Sequence, residues 1–250
     1  MQFPGTTSPW LEGFEKHEFT VGGKTVAVIC PHRPLPGRFW AWKGEFLDAF
    51  PGLEIALLRK GFFIVHLSFP DQFGGPAAVG AWNELYALLT GVYGFAKKVA
   101  LIGLSRGGLY CYQWAAENPD KVACIYGDAP VCDMRSWPGG KGKGPGAPSE
   151  WQKVMAVFGF ASEAEAMAYR LNPVDRLDVL AAASIPILHV YGEADEVVPW
   201  EENTGVLAER YRALGGRIEL IAKPGCRHHP HGLDDPSPVV DFIWRNTVSA

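Results

Sequence analysis

The sequence predicts an α/β protein with a mostly parallel central sheet, and three observations carry that expectation. Short apolar runs recur along the chain and are continuous rather than alternating, as expected of strands covered on both faces. Helical stretches of ten or more residues separate them. Near the middle, residues 99–118 read as a buried strand, a tight Gly-x-Ser-x-Gly turn and a helix in direct succession. Alternation of this kind implies right-handed crossovers, helices on both faces and ligands held beyond the carboxyl ends of the strands.

The apolar runs lie at 17–21, 26–30, 62–67, 99–103, 122–126, 186–191 and 218–222. The first two meet across Gly22-Gly23, a two-residue hairpin signal. Helices are expected over 77–90, 107–118 and 201–214; Asn118-Pro119 ends the second and Gly215-Gly216 the third. The segment from Ser136 to Gly146, Ser-Trp-Pro-Gly-Gly-Lys-Gly-Lys-Gly-Pro-Gly, cannot sustain helix or strand and reads as a loop. It opens an excursion over 129–183, read either as a lid or as a solvated linker, within one domain spanning 1–250.

Composition narrows the function classes. The chain has 250 residues, 48% hydrophobic and 20% charged, which excludes a disordered tail. A net charge of −4 argues against a nucleic-acid partner. No apolar run reaches the roughly 20 residues of a membrane helix, and no secretion signal precedes residue 17, so the expected location is the cytosol, or outside it with the signal removed. The five cysteines (Cys30, Cys111, Cys124, Cys132, Cys226) show no C-x-x-C spacing and read as mostly reduced thiols.

Gly103-Leu104-Ser105-Arg106-Gly107 carries the chemistry. With 29 glycines in the chain, such a match arises by chance only about 0.1 times, and its strand-to-helix context sharpens it. The turn exposes the Ser105 hydroxyl, and the Arg106 N–H at the helix start points toward a developing oxyanion. The alternative is a serine that merely caps its helix. A serine hydroxyl needs a histidine to take its proton and a carboxylate to orient that histidine, expected in the order serine, acid, histidine after successive strands. Asp195 follows the run 186–191 in Gly-Glu-Ala-Asp-Glu-Val-Val-Pro, and His228, His229 and His231 follow 218–222 in Pro-Gly-Cys-Arg-His-His-Pro-His. Asp128, after the run 122–126, and Glu193 are alternative acids. The three clustered histidines could also offer imidazoles to zinc. Pro230 constrains their turn and His17, His32, His66 and His189 are dispersed, so neither a metal nor an organic cofactor is expected.

These motifs resemble the α/β-hydrolase superfamily, specifically its small single-domain serine esterases, over about residues 17–247. The resemblance implies a sheet of about seven to eight strands with a lid insertion after the sixth. It implies Ser105 as nucleophile, Asp195 as acid and His228 as base, with His229 the alternative base and Asp128 the alternative acid. It places the second oxyanion donor after the run 26–30. There the usual His-Gly pair is replaced by Cys30-Pro31-His32-Arg33-Pro34, so only His32 or Arg33 keeps an N–H to give. Trp40, Trp42 and Trp137 are candidate aromatic walls of the substrate mouth, or plain core. Arg106 and Arg227 could attract an anionic substrate, or be ordinary surface arginines. The function expected is hydrolysis of a small-molecule, short-acyl ester, such as an acetylated carbohydrate, through an acyl-enzyme. A peptidase, a thioesterase and a non-catalytic ligand-binding homologue are the alternatives.

Overall fold

The computed structural model describes residues 3–249. Nine strands form one sheet: β1 (Thr6–Pro9), β2 (Glu15–Val21), β3 (Lys24–Cys30), β4 (Trp40–Lys43), β5 (Phe63–Ser68), β6 (Val99–Leu104), β7 (Val122–Asp128), β8 (Ile187–Gly192) and β9 (Ile218–Lys223). Their order across the sheet is β1-β2-β3-β5-β4-β6-β7-β8-β9. The pairs β1/β2, β2/β3 and β3/β5 are antiparallel, and β5, β4, β6, β7, β8 and β9 run parallel. The helices are α1 (Gly52–Arg59), α2 (Pro76–Gly91), α3 (Gly107–Glu117), α4 (Pro148–Phe158), α5 (Glu163–Ala168), α6 (Leu177–Ala182), α7 (Val206–Ala213) and α8 (Ser237–Thr247). This is the mostly parallel α/β-hydrolase architecture.

The continuous apolar runs are explained by the two layers of helix. Along β6, Val99 and Leu101 point into a core shared with α2, α3, α6 and α7, while Ala100 and Ile102 point into one shared with α1 and α8. Successive strand side chains face opposite ways, so a strand covered twice must be apolar at every position. Gly22-Gly23 makes the expected turn between β2 and β3. The helix expected over 201–214 begins as a wider-wound turn, Glu201–Gly205, before α7.

Two strands lack a run of their own in the sequence reading. β1 is an edge strand of four residues, mostly exposed and ending in a proline, which an unpaired edge tolerates. β4 sits between β5 and β6 at the centre of the sheet. It is four residues long and ends in Lys43, whose fully buried ammonium meets Glu54 at 3.0 Å and the Ala49 carbonyl at 2.7 Å. A charge tolerated only because a carboxylate inside the fold neutralises it is a poor strand signal.

Placing β4 corrects the aromatic expectation. Trp40 and Trp42 lie two apart on a strand, so they share a face, and that face is the core: both are fully buried. Trp42 stacks on Trp82 of α2 at 3.7 Å between ring centroids, and Trp40 lies 5.8 Å from Trp42. They line no substrate mouth. Trp137 is half-buried and packs toward Phe73 and the small apolar cluster formed with Trp151 and Val154 of α4.

The excursion expected after the sixth strand follows β7, because β1 adds a strand ahead of it. Its Gly/Lys segment holds no helix or strand, as expected, yet it is tethered. Ser136 donates to Glu202 at 2.7 Å, Lys143 pairs with Glu201 at 2.8 Å, and Asn172 accepts from the Met134 N–H at 3.0 Å. Among the described residues, no helix is long and apolar enough to cross a membrane.

Candidate active site

The register of the parallel strands brings their carboxyl ends into line: Leu104 pairs with Asp128, Asp128 with Val190 and Gly192 with Lys223. Ser105 follows β6 directly, Asp195 lies three residues past β8, and His228 lies five past β9. The turn at Ser105 holds the left-handed backbone conformation, φ 51°, which costs a non-glycine residue on the order of 1–3 kcal/mol and persists where surrounding contacts fix it. Here the Ser105 N–H donates to the Asp128 carbonyl at 2.9 Å and the Ser105 carbonyl accepts from the Val131 N–H at 2.9 Å. A Cβ on Gly103 would stand 2.9 Å from the Gly108 Cα, so the sharp strand-to-helix turn requires a bare backbone there.

The acid and base loops are locked to each other in the same manner. The Ala194 N–H donates to the Cys226 carbonyl at 2.9 Å. A Cβ on Gly192 would meet that carbonyl oxygen at 2.4 Å, so glycine alone allows the two loops to close. The resulting chain of side chains is continuous. Ser105 Oγ lies 3.0 Å from His228 Nε2, and His228 Nδ1 lies 2.7 Å from Asp195 Oδ2. The other Asp195 oxygen accepts the Val197 and Val198 N–H groups, each at 2.9 Å. His228 and Asp195 are buried, and the Ser105 side is half-open. A carboxylate fixed by two backbone donors holds an imidazole proton on Nδ1, which leaves Nε2 as an acceptor facing the hydroxyl.

The alternatives fall elsewhere. His229 is exposed, its ring stacked on Phe50. Asp128 binds His231 instead of His228: His231 Nδ1 lies 3.0 Å from Asp128 Oδ1, while Tyr126 Oη and the Gly232 N–H donate to Oδ2, each at 2.6 Å. Burial opposes the Asp128 charge, but the donors led by His231 outweigh it and hold the carboxyl below its ordinary range. Glu193 Cα sits between β8 and the acid loop, its N–H on the Lys223 carbonyl at 3.2 Å.

His32 and Arg33 do not approach Ser105. β3 runs antiparallel to β5, so its carboxyl end lies at the sheet edge opposite the carboxyl ends of the parallel strands. His32 stacks there on Phe14, 4.5 Å between centroids. The loop that does reach the site follows β4. The Gly44 N–H is taken by the Ile102 carbonyl at 2.9 Å, and the Glu45 nitrogen lies 3.3 Å from where a Gly107 Cβ would stand. Among the described residues, no acceptor pairs with the backbone N–H of Glu45, Phe46 or Arg106. Sequence reasoning missed Glu45 and Phe46 because it missed β4; the signal available was the short apolar Trp-Ala-Trp ahead of Lys43-Gly44.

The Arg106 guanidinium is taken up by carboxylates of the protein itself. It binds Glu45 through two nitrogens, Asp71 at 3.1 Å and Glu150 of α4 at 2.9 Å, and Lys153 joins Asp71 at 2.9 Å and Glu150 at 2.8 Å. Burial raises the Glu45 carboxyl above its usual range, with Arg106 opposing it. Arg227 pairs at the surface with Glu196 at 3.2 Å. Beside this network a cavity of about 420 Å³ opens, lined by Glu45, Phe46, Arg106, Asp48, His66 and Lys16 among others.

No curated protein matches the chain. Among solved structures, the puromycin-hydrolysing peptidase of Mycobacterium tuberculosis superposes with a TM-score of 0.70 at 14% identity, covering 94% of this chain and 39% of that one. The dipeptidyl peptidase 4 of Porphyromonas gingivalis gives 0.69 at 13%, covering 94% and 35%. The acylaminoacyl peptidase of Pyrococcus horikoshii gives 0.67 at 13%, covering 94% and 40%. Identities this low speak for the fold, and the chain spans about two fifths of the length of these structures. Residues 84–245, which carry the serine turn, the acid loop and the histidine loop, match the Prolyl oligopeptidase family. That match extends over more than half of the chain and replaces the small-esterase resemblance with a narrower one: the protein belongs to the prolyl oligopeptidase family of serine hydrolases.

Proposed function

We propose that the chain is a serine peptidase that cleaves small peptides or aminoacyl amides, with Ser105 as nucleophile, His228 as general base and Asp195 as the orienting acid. The observation that carries this reading is the unbroken contact chain from Ser105 Oγ through His228 to Asp195, at 3.0 and 2.7 Å, on a chain of peptidase family. Ser105 Oγ attacks the scissile carbonyl carbon as its proton passes to His228 Nε2, and Asp195 stabilises the imidazolium through Nδ1–H. The tetrahedral oxyanion takes the Arg106 N–H and one N–H from Glu45 or Phe46. His228 then gives its proton to the departing amine, and water, activated by the same imidazole, releases the acyl group.

Two further observations support a peptide over a short-acyl ester. Of the tryptophans expected to grip a sugar or flat acyl group, Trp40 and Trp42 lie in the core, and Trp137 is half-buried against Phe73. The cavity of about 420 Å³ beside the loop after β4 is lined by Arg106, next to Ser105, and by both charged and apolar side chains, more room than an acetyl group requires. In the same reading 129–183 is a lid within one domain spanning 1–250, since Glu150 of α4 reaches Arg106, the residue next to the nucleophile.

The test compares aminoacyl p-nitroanilides with p-nitrophenyl acetate on the wild type and Ser105→Ala. Amide cleavage that Ser105→Ala loses is the expected result. Ester turnover with no cleavage across a panel of aminoacyl and dipeptidyl anilides would return the assignment to an esterase.

A further inference from the structure

The late loop contains more imidazole chemistry than proton transfer at Ser105 uses. His228, His229 and His231 have ring centroids 4.8 to 4.9 Å apart and interplanar angles of 68°, 83° and 85°. Each can offer a ring nitrogen such that the three atoms lie within 4.8 Å of one another. Zinc bound at about 2.0–2.1 Å in tetrahedral geometry needs nitrogens about 3.3 Å apart, a separation that small side-chain rotations supply.

Two of the three rings are already prepared as metal ligands. His228 Nδ1 is held by Asp195 and His231 Nδ1 by Asp128. A carboxylate on Nδ1 fixes the tautomer, orients the ring and makes the opposite nitrogen more basic, the arrangement typical of imidazoles that bind metals. The opposite nitrogen of His231 is a buried polar atom with no hydrogen-bond partner among the described residues, on a side chain only 1% exposed. An unpaired buried acceptor is unfavourable, so a ligand at that nitrogen is favoured. His229 is the exposed member of the trio and gives a cation its way in from solvent.

We propose that His228, His229 and His231 form an inhibitory site for a zinc-like divalent cation, which silences the enzyme by capturing the lone pair of its general base. The inhibitory half rests on the reading of His228 as base. The cation takes the Nε2 lone pair that otherwise accepts the Ser105 proton; the hydroxyl keeps its proton, and Nδ1–H stays on Asp195. Coordination changes no oxidation state and breaks no covalent bond. Soft divalent ions that favour imidazole fit this donor set, whereas magnesium and calcium prefer oxygen ligands.

The experiment has a binding arm that does not depend on turnover. Ser105→Ala protein, whose three histidines are intact, is titrated with zinc chloride against a chromophoric zinc chelator. One bound zinc per chain is expected, with affinity weakened about tenfold or more when His229→Ala is added, in keeping with loss of one ligand. In the activity arm, zinc inhibits the wild type, EDTA restores it, and magnesium at the same concentration does nothing. His229→Ala alone keeps wild-type turnover in EDTA and needs at least about tenfold more zinc for half-inhibition. His231→Gln should shift the binding curve in the same direction. No zinc bound by Ser105→Ala overturns the site, as does a half-inhibition concentration unmoved by His229→Ala. Full activity of Ser105→Ala would overturn the base assignment and with it the inhibitory half, while the binding titration would still decide the site.

Discussion

Two carboxylate–imidazole pairs stand side by side at the carboxyl edge of the sheet, and they do different work. Asp195–His228 and Asp128–His231 are both buried and separated by 2.7 and 3.0 Å. Each pairs an aspartate at or after a strand end with a histidine of the loop after β9. What distinguishes them is the third partner. His228 Nε2 meets the Ser105 hydroxyl, held at the top of its turn, while the corresponding atom of His231 meets no donor among the described residues. Asp128 is also fully occupied, by Tyr126 and the Gly232 backbone, and its carbonyl carries the Ser105 N–H. The Asp128 pair therefore ties the histidine loop to the strand beneath Ser105, and the Asp195 pair meets the Ser105 hydroxyl. A buried acid–histidine contact is not by itself a catalytic signature; the hydroxyl placed against it makes the difference.

Substitutions separate the two roles. The largest effect is expected from Ser105→Ala, which should lower kcat for an aminoacyl anilide by about 10⁴-fold or more while leaving the thermal midpoint near that of the wild type. Steady-state kinetics together with a melting curve check both halves. Next, Asp195→Asn should cost about 10³–10⁴-fold in kcat, because the amide favours the wrong imidazole tautomer, with KM little changed. His231→Asn is expected to behave in the opposite way. Turnover should stay within about threefold, but stability should fall by about 2–4 kcal/mol, because Asp128 is left buried with its strongest partner gone. Equal losses of kcat in Asp195→Asn and His231→Asn would erase the distinction drawn here.

A third buried imidazole sharpens the comparison. Among the described residues, no carboxylate lies at hydrogen-bond distance from His189; Tyr112 Oη lies 2.7 Å from its Nε2 and Thr204 Oγ1 3.0 Å from its Nδ1. Burial pushes its pKa down to about 3, with Asp128 opposing more weakly. The unfolded chain takes up a proton near pH 6.5 and the folded chain does not until about pH 3, so this contribution is complete above about pH 6.5. It should then decline by about 1.4 kcal/mol per unit as the pH falls between those values. Denaturant titrations at pH 7, 5.5 and 4.5 should show a shallower acid dependence for His189→Gln than for the wild type. The depressed Asp128 carboxyl acts at lower pH, its stabilisation lost as the pH falls through its folded value.

The two sides of the sheet differ in how far the sequence exposes them. From β6 onward the strands are mostly apolar, interrupted only by His189 in β8 and Glu219 in β9 before their ends, and the loops after β6, β8 and β9 carry distinctive residues, so the strand ends and the side chains they carry could be read directly. Ser105, Asp195 and His228 come from that half, and they meet in space. Nearer the amino end the same logic failed at β1 and at β4. β4 is four residues long and closes on a buried lysine, so its two tryptophans read as a pocket wall, and the loop after it, which lies against Gly107 of the serine turn, was passed over for the loop after β3. The ion pair that neutralises Lys43 depends on Glu54 of α1, a partner visible only once the chain is folded. His228, favoured over His229 by the resemblance, is the ring that stands 3.0 Å from Ser105 Oγ, while His229 is exposed and His231 meets Asp128.

Gly192 offers a smaller perturbation of the same geometry. Gly192→Ala places a Cβ against the Cys226 and Arg227 carbonyls, at 2.4 and 2.5 Å, and should push the acid and base loops apart. A drop of about 10²-fold in kcat is expected, with both catalytic side chains still present.

The most direct measurement is covalent labelling with a fluorophosphonate, followed by mass spectrometric mapping of the modified peptide. One label per chain on Ser105, absent in Ser105→Ala and strongly slowed in Asp195→Asn, is the expected result. A folded wild-type protein that takes no label, or carries it on another residue, would contradict the account.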